Sequence, residues 1–451
     1  MIDFHYTAPQ PPRVAPQVVK QEIIHMPEAK MKQIAVYTLT ENNGMTIKLP
    51  PDFNFESYKQ LGAKAANDVT SRVGKKGEGL GWVNTLQTEQ LKNLDSIYAL
   101  ADEAKKGNYT NLVVMGMGGS RYPNEALIKL LGKDSKIKYF SAIDQQSFDN
   151  FSKNLDLNKT KFLVVSNSGG TLETITAYQK FKKLMQEHLK KEDVSDRFIA
   201  MTNPDSGKSK LRKQVEKGEI KLSGKTHDEI SGGYSMFDDA TIFTLAYAGI
   251  DKADAKKLLE GSLAAQKEFL NPDINKNEAL KLASFNVDSK LKGNNKHFVD
   301  YFGDYFAGSA KWEKQLKNEG LKSNILTDAN VGPEFLHYIT ESDLDDNNKD
   351  SFYTFVYVKP QEKAVSALIN GAITAYSTQH PVAQIELKDL SPKTISRFIE
   401  LKHFETLYTG NMLRQRQNLG QGKTETNAPL PEVMQTNVNK YKKEVKKNFD
   451  Y

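Results

Sequence analysis

The sequence predicts an α/β protein whose mainly parallel sheets are covered by helices on both faces. Short apolar runs, such as 112–115 and 162–165, end in turns rich in glycine or serine. A helical pattern follows each turn, and this alternation of strand and helix occurs twice along the chain. Strands joined through helices run parallel, because each crossover returns the chain to the same end of the sheet. We therefore expect two α/β units, each a mainly parallel sheet between helices.

The first half of the chain contains the elements of one unit. A Pro-rich start precedes a predicted strand over 32–39, and the helical spacing of apolar residues predicts helices over 54–75 and 86–106. The elements predicted after these are a strand over 112–115, a helix over 124–131, strands over 137–143, 162–166 and 198–202, and helices over 236–250 and 253–267.

The second half repeats this organisation. It contains predicted strands over 297–302, 352–358 and 382–386, and predicted helices over 362–378, 394–411 and from about Val433 onward. The acidic, Asn-rich segment 343–350 is predicted to be a surface loop. These patterns divide the chain into an N-terminal extension with a helix (1–80), a first α/β domain (81–270), a second α/β domain (271–411) and a C-terminal connector with a helix (412–451).

The bulk composition excludes several classes of function. The chain has 451 residues, a formal net charge of +6 and no cysteine. Without cysteine there are no disulfides, zinc–thiolate sites or cysteine nucleophiles. The net charge is small for this length and no basic stripe with interleaved aromatics occurs, so we expect no nucleic-acid partner. The start lacks the pattern of a signal peptide, and no apolar run approaches about 20 residues, so we expect a cytoplasmic protein without a membrane span.

The segment Val164–Thr174 predicts a binding site for phosphate. A buried strand runs into Ser166, Ser168 and Thr171, and a helical pattern begins directly afterwards. A helix N-terminus offers free backbone N–H groups and a partial positive charge, both of which favour phosphate. The hydroxyls add donors, and the two glycines at 169–170 let the backbone approach a ligand closely. The segment contains no activated nucleophile or metal-ligand set, so we expect no metal and no cofactor there.

A second turn, Gly116–Ser120, follows the preceding strand. It lacks the Gly-Lys-Ser/Thr of a P-loop and the glycine spacing of a dinucleotide fingerprint. Alone, such a turn is as often tight packing as a binding site. Ligands bind beyond the carboxyl ends of strands in doubly wound sheets, so two such loops on one sheet can converge on one phosphate. Together they favour a phosphorylated small molecule.

These two loops resemble motifs of the glucose-6-phosphate isomerase family, within the sugar-isomerase superfamily. That family has a GxGGS turn and an S-K-(S/T)-(G/F)-T-T-x-E loop, which match 116–120 and 166–173. The resemblance implies two sugar-isomerase-type three-layer domains. It also implies that the phosphate is bound by Ser166, Ser168 and Thr171, with the turn beside it. The residues implied in substrate binding around these loops also include Gly118, Gly119, Ser120 and Asn167, the last standing where the family has lysine.

Later segments extend the resemblance. Residues 231–237 resemble the family's GGR(Y/F)S segment, 403–407 its FFEYAT helix and 438–442 its GVExxK segment. Residues 312–320 are similar to WxKQLxxES and 335–337 to DLHS. By this resemblance the catalytic residues are Glu319, His337 and Lys442, and Gln315 contacts the substrate one helical turn before the glutamate.

The reaction implied by the resemblance is the interconversion of D-glucose 6-phosphate and D-fructose 6-phosphate. It moves a proton between C2 and C1, which one carboxylate such as Glu319 can carry through an enediolate intermediate. His337, titrating near neutrality, suits the preceding ring opening, and Lys442 can assist ring opening or meet the phosphate. The family further implies a homodimer with active sites at the subunit interface, to which His337 comes from the partner subunit.

One position departs from the family. The alignment through Tyr234 and Ser235 puts Gly233 where the family has the arginine that stabilises the enediolate. Three explanations stay open. Arg121, directly after the GxGGS turn, can replace it; the enzyme can be slow or act on another sugar phosphate such as mannose 6-phosphate; or the protein can bind a phosphosugar without isomerising it. A glutamine-hydrolysing amidotransferase with an N-terminal cysteine is excluded, because the chain has none.

Overall fold

The computed structural model describes residues 38–230, 232–322, 324–345, 349–416 and 432–447. Its strands are β1 Thr38–Asn42, β2 Met45–Leu49, β3 Asn111–Met115, β4 Ile137–Phe140, β5 Thr160–Val165, β6 Phe198–Thr202, β7 Leu222–Lys225, β8 Lys296–Phe302, β9 Leu326–Gly332, β10 Ser351–Val358 and β11 Val382–Leu387. Its helices are α1 Lys59–Arg72, α2 Thr85–Lys105, α3 Tyr122–Leu130, α4 Gln145–Ser152, α5 Leu172–Leu189, α6 Lys210–Glu216, α7 Asp239–Ala248, α8 Lys252–Phe269, α9 Glu278–Leu291, α10 Ala307–Leu321, α11 Thr340–Asp343, α12 Lys363–Tyr376, α13 Pro392–Arg416 and α14 Glu432–Lys447.

The first sheet has five parallel strands in the order β4-β3-β5-β6-β7. Side chains alternate along its central strands. Phe162 and Val164 pack on one face with residues of α4, α5 and α6, and Leu163 and Val165 pack on the other with residues of α2, α3 and α7. The strands of a parallel sheet that is covered on both faces have continuous apolar sequences, and this pattern predicted β5.

The second sheet has six strands in the order β1-β2-β11-β10-β8-β9. Strands β8 to β11 are parallel, whereas β2 pairs antiparallel with β11 and with β1. The β1–β2 hairpin turns at Asn43 and Gly44, whose φ angles are 47° and 89°. Of the strand predicted over 32–39, residues 38 and 39 begin β1 and the rest lies outside the described residues. Residues grouped with the N-terminal extension therefore complete the second sheet.

Most predicted elements are present, and the differences have local causes. The apolar segment 236–250 becomes helical only at α7, because the Asp238 side chain accepts a hydrogen bond from the Thr241 N–H at 2.9 Å and caps the helix there. Strands β2, β7 and β9 were not predicted. Strands β7 and β9 are edge strands with polar residues, so they lack the apolar run of a central strand.

Helix α13 occupies the centre of the protein. Its residues 394–413 are all buried, although the sequence there is not uniformly apolar. It packs against α8, α9 and α10, and α10 in turn packs against α3 of the first α/β unit. Helix α10 thus lies between the two sheets' helical layers. No helix in the described part of the chain is long and apolar enough to cross a membrane.

Candidate active site

The predicted phosphate loop lies at the carboxyl end of β5, directly before α5. Ser166 is buried, and its Oγ lies 3.1 Å from Thr171 Oγ1 and accepts the Gly169 N–H at 3.1 Å. The Ser168 Oγ accepts the Gly170 N–H at 3.2 Å. Thr171 is the N-cap residue of α5, but its side chain makes no capping hydrogen bond. Hydroxyl groups and the first N–H groups of α5 therefore line the same turn, which suits an anion.

The conformation of this loop is fixed by its neighbours. Gly169 has a φ of +61°, and a Cβ there would lie only 2.2 Å from the backbone nitrogen of Leu211 in α6. The Ser166 N–H donates to the Met201 carbonyl at 3.0 Å, and the Thr202 hydroxyl donates to the Ser166 carbonyl at 2.6 Å. Glycine is required at 169 by both sterics and φ, so the loop is held against β6 and α6.

Asn167, which stands in place of the family's lysine, belongs to a polar cluster beyond β6 and β7. Its Oδ1 accepts the Thr226 hydroxyl at 2.5 Å, and its Nδ2 donates to Asp228 at 3.4 Å. Lys208 lies 2.7 Å from Asp228, and its hydrogen bond is the main cause that lowers the pKa of that carboxyl. Sequence reasoning missed Lys208, although polar residues following β6, the strand beside β5, were a signal for it.

The Gly116–Ser120 turn meets the Gly232–Gly233 turn backbone to backbone. A Cβ on Gly119 would lie 2.2 Å from Gly232 Cα, so the first turn tolerates no side chain at position 119. The Ser235 hydroxyl donates to the Gly119 carbonyl at 2.9 Å and ties the two turns together. The conformational freedom of glycine is thus used for close approach of two backbones.

Gly233, where the family has arginine, is packed against α10. A Cβ there would lie 2.8 Å from Leu316 Cα, and its carbonyl accepts the Trp312 indole N–H at 2.7 Å. An arginine side chain has no room at this backbone position. The departure from the family pattern is therefore accompanied by close packing of the turn on α10.

Gln315 and Glu319 join these turns to one face of α10. The Gln315 Nε2 donates to Glu319 Oε1 at 2.9 Å, and Cβ atoms built on Gly118 and Gly232 would lie 2.7 and 3.0 Å from the same Nε2. Partial desolvation raises the pKa of the Glu319 carboxyl, while the hydrogen bond from Gln315 and the charge of Lys322 oppose that rise. The structure therefore brings the predicted base, the predicted amide and the GxGGS turn together.

Arg121 lies beside the same turn but is already paired. Its Nε donates to Glu125 at 3.0 Å and its Nη1 donates to the Ser141 hydroxyl at 2.6 Å, at the end of β4. Lys311 of α10 lies 2.8 Å from the other oxygen of Glu125. The guanidinium thus lies on the β4 side of β3, whereas the phosphate loop follows β5, the other neighbour of β3.

His337, another predicted catalytic residue, is not brought to this cluster within the described chain. His337 is exposed in a short turn of 3₁₀-helix after β9, and among the described residues no hydrogen bond joins it to the phosphate loop or to Glu319. The backbone of α14 includes position 442, but the Lys442 side chain lies outside the described residues.

The chain is similar in sequence to a known family of sugar-phosphate isomerases. The family model of phosphoglucose isomerase matches residues 101–361 of the 451. The chain is 28% identical to a glucose-6-phosphate isomerase of Methanocaldococcus jannaschii over 59% of this chain and 63% of that protein. It is also 28% identical to one of Campylobacter jejuni over 72% of this chain and 76% of that protein. The match thus spans slightly less than two thirds of the archaeal relative.

Two crystal structures share the fold. A hypothetical protein of Thermus thermophilus superposes with a TM-score of 0.73 at 20% identity, over 86% of this chain and 96% of that chain. A glucose-6-phosphate isomerase of Chlamydia trachomatis superposes with a TM-score of 0.67 at 16% identity, over 85% of this chain and 88% of that chain. The family match includes the turn at 116–120, the phosphate loop at 166–171 and all of α10. The chain belongs to the phosphoglucose isomerase family.

Proposed function

We propose that this protein catalyses the reversible isomerisation of D-glucose 6-phosphate to D-fructose 6-phosphate. The observation that carries this proposal is the position of the Gln315 amide, between the glycine turns and the Glu319 carboxylate. A carboxylate suited to proton transfer therefore lies on the face of α10 that meets a turn suited to a sugar phosphate. The curated relatives bear the same activity in their names, which supports the assignment.

The phosphate is the part of the substrate for which the site is best built. Ser166, Ser168 and Thr171 offer hydroxyls, and α5 offers its first N–H groups, within a loop fixed by Gly169. Strands β3 and β5 are adjacent and parallel, so Ser120 follows a strand end about 5 Å from that of the loop. In this proposal Gly118, Gly119, Ser120 and Asn167 border the sugar.

Glu319 is the general base in this mechanism. It takes the C2 proton of the open-chain aldose and leaves the enediolate. The proton of the C2 hydroxyl then moves to O1, and Glu319 returns a proton to C1, which leaves the carbonyl at C2. A base that receives a proton works best when its pKa is not far below the working pH, and the partial desolvation of Glu319 acts in that direction. Gln315 holds the carboxylate through its amide and leaves the second oxygen for the substrate.

Ring opening requires a donor and acceptor at the ring oxygen, and we assign these roles to His337 and Lys442. The exposure of His337 supports a homodimer in which it reaches the active site of the partner subunit. The absence of cysteine is compatible with the reducing cytoplasm, where we expect this dimer to act. A size measurement in solution tests the dimer, and mixing inactive Glu319→Gln with inactive His337→Ala chains tests the sharing. Restored activity in the mixture is expected if each site combines two chains.

The cation opposite the enediolate remains a proposal in its own right. Arg121 and Lys311 both contact Glu125, so two positive charges share one negative charge beside the GxGGS turn. The remaining positive charge makes Arg121 our candidate in place of an arginine at Gly233. If it acts there, Arg121→Ala lowers kcat by about 10²–10³, the effect of removing one such donor. Lys129→Ala, at a partly exposed lysine at the far end of α3, is the control.

The close packing at Gly233 favours one alternative, a phosphosugar-binding protein without isomerase activity. A coupled assay that follows glucose 6-phosphate formed from fructose 6-phosphate separates the two. We expect turnover that disappears in Glu319→Gln. Background turnover together with calorimetric binding of fructose 6-phosphate would establish the alternative, and turnover with mannose 6-phosphate alone would reassign the substrate.

A further inference from the structure

Four charged side chains meet between α10 and α13 without any exposure to solvent. They form the charge square, which consists of Glu313, Lys317, Lys402 and Glu405. The Lys317 Nζ lies 3.2 Å from Glu313 and 2.6 Å from Glu405. The Lys402 Nζ lies 2.7 Å from Glu313 and 2.8 Å from Glu405. Each lysine therefore contacts both glutamates, and positive and negative corners alternate.

Neighbouring polar groups complete the square. Asn286 donates to Glu405 at 2.8 Å and the Tyr301 hydroxyl donates to Glu313. His297 Nδ1 lies 3.2 Å from the Lys317 Nζ, and its Nε2 lies 2.9 Å from the Thr354 hydroxyl. An ammonium group only donates, so Nδ1 is the acceptor and the neutral ring carries its proton on Nε2. Burial, with Lys317 adding to it, lowers the pKa of His297 and keeps the ring neutral.

Ion pairing outweighs the effect of burial at two corners of the square. Burial alone would raise the pKa of the Glu405 carboxyl, but Lys317 and Lys402 outweigh it and hold that pKa below its ordinary value. Burial also acts to lower the pKa of Lys402, but Glu313 and Glu405 raise it above its ordinary value. At Lys317, burial and the charge of Lys402 outweigh the two glutamates and lower the pKa below its ordinary value. The formal charges of the four side chains sum to zero.

Stability alone does not explain such a group. A buried ion pair is often no more stabilising than apolar side chains of the same volume, although removing one partner is costly. Alternating charges fix the relative position of two helices more closely than apolar faces do, because apolar faces tolerate small rotations and shifts. A small rotation or slide of α10 against α13 would lengthen the two cross-helix ion pairs together, and a slide of about one helical turn would bring like charges opposite one another. The square therefore specifies one arrangement of the two helices.

The same helix carries the predicted base on its opposite face. Successive α-helical residues are rotated by about 100°, so residues two apart lie on roughly opposite sides. Gln315 is two residues from both Glu313 and Lys317, and Glu319 is two residues after Lys317. A rotation of α10 that moves the square also moves Gln315 and Glu319 relative to Gly118.

We propose that the charge square is a positioning device that sets the rotation and height of α10, and thereby the place of Glu319 at the glycine turns. The assignment of Glu319 rests on the proposed function, whereas the register of the helix does not. The members of the square touch no substrate in this proposal and act only through α10.

Reciprocal charge exchange provides the test. Lys402→Glu with Glu405→Lys exchanges the corners on α13, and Glu313→Lys with Lys317→Glu exchanges those on α10. Each pair keeps the net charge but places like charges across the helix contact when made alone. We expect either pair alone to lower kcat by about 10²-fold, the effect of a misplacement near 1 Å, and the four exchanges together to restore kcat to within about threefold.

Hydrogen exchange measures the stability of α10 independently of turnover. Hydrogen exchange at the α10 amides should accelerate in each single pair and return to the wild-type rate in the four-exchange variant. Arg397→Met is the matched control, because Arg397 lies 2.6 Å from Glu268 and 2.7 Å from Glu278 and joins α13 to α8 and α9 instead. It should lower Tm while leaving kcat per folded molecule and α10 exchange unchanged.

Two results would overturn the proposal. One is a single pair exchange that lowers Tm but leaves kcat per folded molecule and α10 exchange as in wild type. The other is a four-exchange variant that regains Tm without regaining kcat and α10 protection. If the exchanged chains do not fold, Glu405→Gln, which keeps the shape, should accelerate α10 exchange, and wild-type exchange there would contradict the proposal. Wild-type protein without isomerase activity would refute the proposed function, while the exchange measurement still decides the register.

Discussion

Glu319 and Glu405 lie on opposite sides of helix α10, and their surroundings differ. Glu319, on α10, is exposed at the edge of the glycine turns with one amide donor, and partial desolvation raises the pKa of its carboxyl. Glu405, on α13, is fully buried, and although burial acts to raise its pKa, two lysines lower it. One carboxylate is thus able to exchange protons, whereas the other is a fixed charge.

The comparison shows how one helix can serve both purposes. Charges on the inner face of α10 are paired with α13, and Gln315 and Glu319 on the outer face remain open to a ligand. A proton-transfer group has to stay accessible and moderately basic, whereas a positioning group has to stay ionised and paired.

The largest expected effect is that of Glu319→Gln. The variant keeps the size and the hydrogen bond with Gln315 but has no basic oxygen, so kcat should fall by about 10²–10⁴. Steady-state kinetics measures this, with KM nearly unchanged. Glu187→Gln, an exposed glutamate on α5, is the control and should be as active as wild type. Activity of Glu319→Gln within tenfold of the control would contradict the role of the base.

The next effect concerns the phosphate. Ser166→Ala combined with Thr171→Val removes two hydroxyls from the loop and leaves its glycines intact. Each hydrogen bond to a charged group contributes about 1.5–3 kcal/mol, so affinity for the substrate should fall at least tenfold. Calorimetry with fructose 6-phosphate measures this, and Ser96→Ala on α2 serves as the control. Equal affinity in the double variant and the control would place the phosphate elsewhere.

The packing at Gly233 predicts a change in stability. A Cβ at Gly233 would lie 2.8 Å from Leu316 Cα, so Gly233→Ala should lower the free energy of unfolding by about 1–3 kcal/mol. Gly371→Ala on α12 is the matched control, because nothing lies within 4 Å of a Cβ there. The helix preference of alanine should make that variant more stable by about 0.5–1 kcal/mol. Urea unfolding compares the free energies of unfolding of the two variants. Equal changes would show that α10 moves to accommodate the added methyl group at position 233.

The smallest effect is a shift in pH dependence. Desolvation raises the pKa of Glu319, and the hydrogen bond from Gln315 lowers it. The base works only when ionised, so kcat/KM should decline as pH falls through this pKa. Removing the donor in Gln315→Leu should raise that pKa and move the acid limb to higher pH. Lys322→Met should move it the same way, since Lys322 also lowers the pKa. An acid limb that moves to lower pH would contradict this description of Glu319.

Local sequence patterns predicted the elements whose causes are local. The buried run at β5, the hydroxyls that follow it and the spacing of Gln315 and Glu319 were all visible without a structure. The β1–β2 hairpin was missed although Asn43-Gly44 is a strong turn signal. The pairing of its second strand with β11 joins residues that are distant in the sequence, so no local pattern indicates it. Strand β9 was missed because Asp328 and Asn330 interrupt its apolar pattern at the sheet edge.

The charge square was beyond local sequence reasoning for a different reason. Lys317 and Glu405 are far apart in the sequence, and each lies in a segment that reads as an ordinary charged helix. Only the burial of α13 shows that its Lys402 and Glu405 do not face water. The close packing of Gly233 on Leu316 depends likewise on contacts between distant segments.

An isotope measurement shows whether Glu319 moves a proton between C2 and C1. Glucose 6-phosphate deuterated at C2 is converted in ordinary water, and the product is examined by NMR and mass spectrometry. A carboxylate that holds the deuteron exchanges part of it with solvent, so we predict that deuterium is partly lost from the fructose 6-phosphate, and that Glu319→Gln abolishes both conversion and loss. Conversion that continues in Glu319→Gln, whether the deuterium is lost or transferred to C1, would show that another group moves the proton.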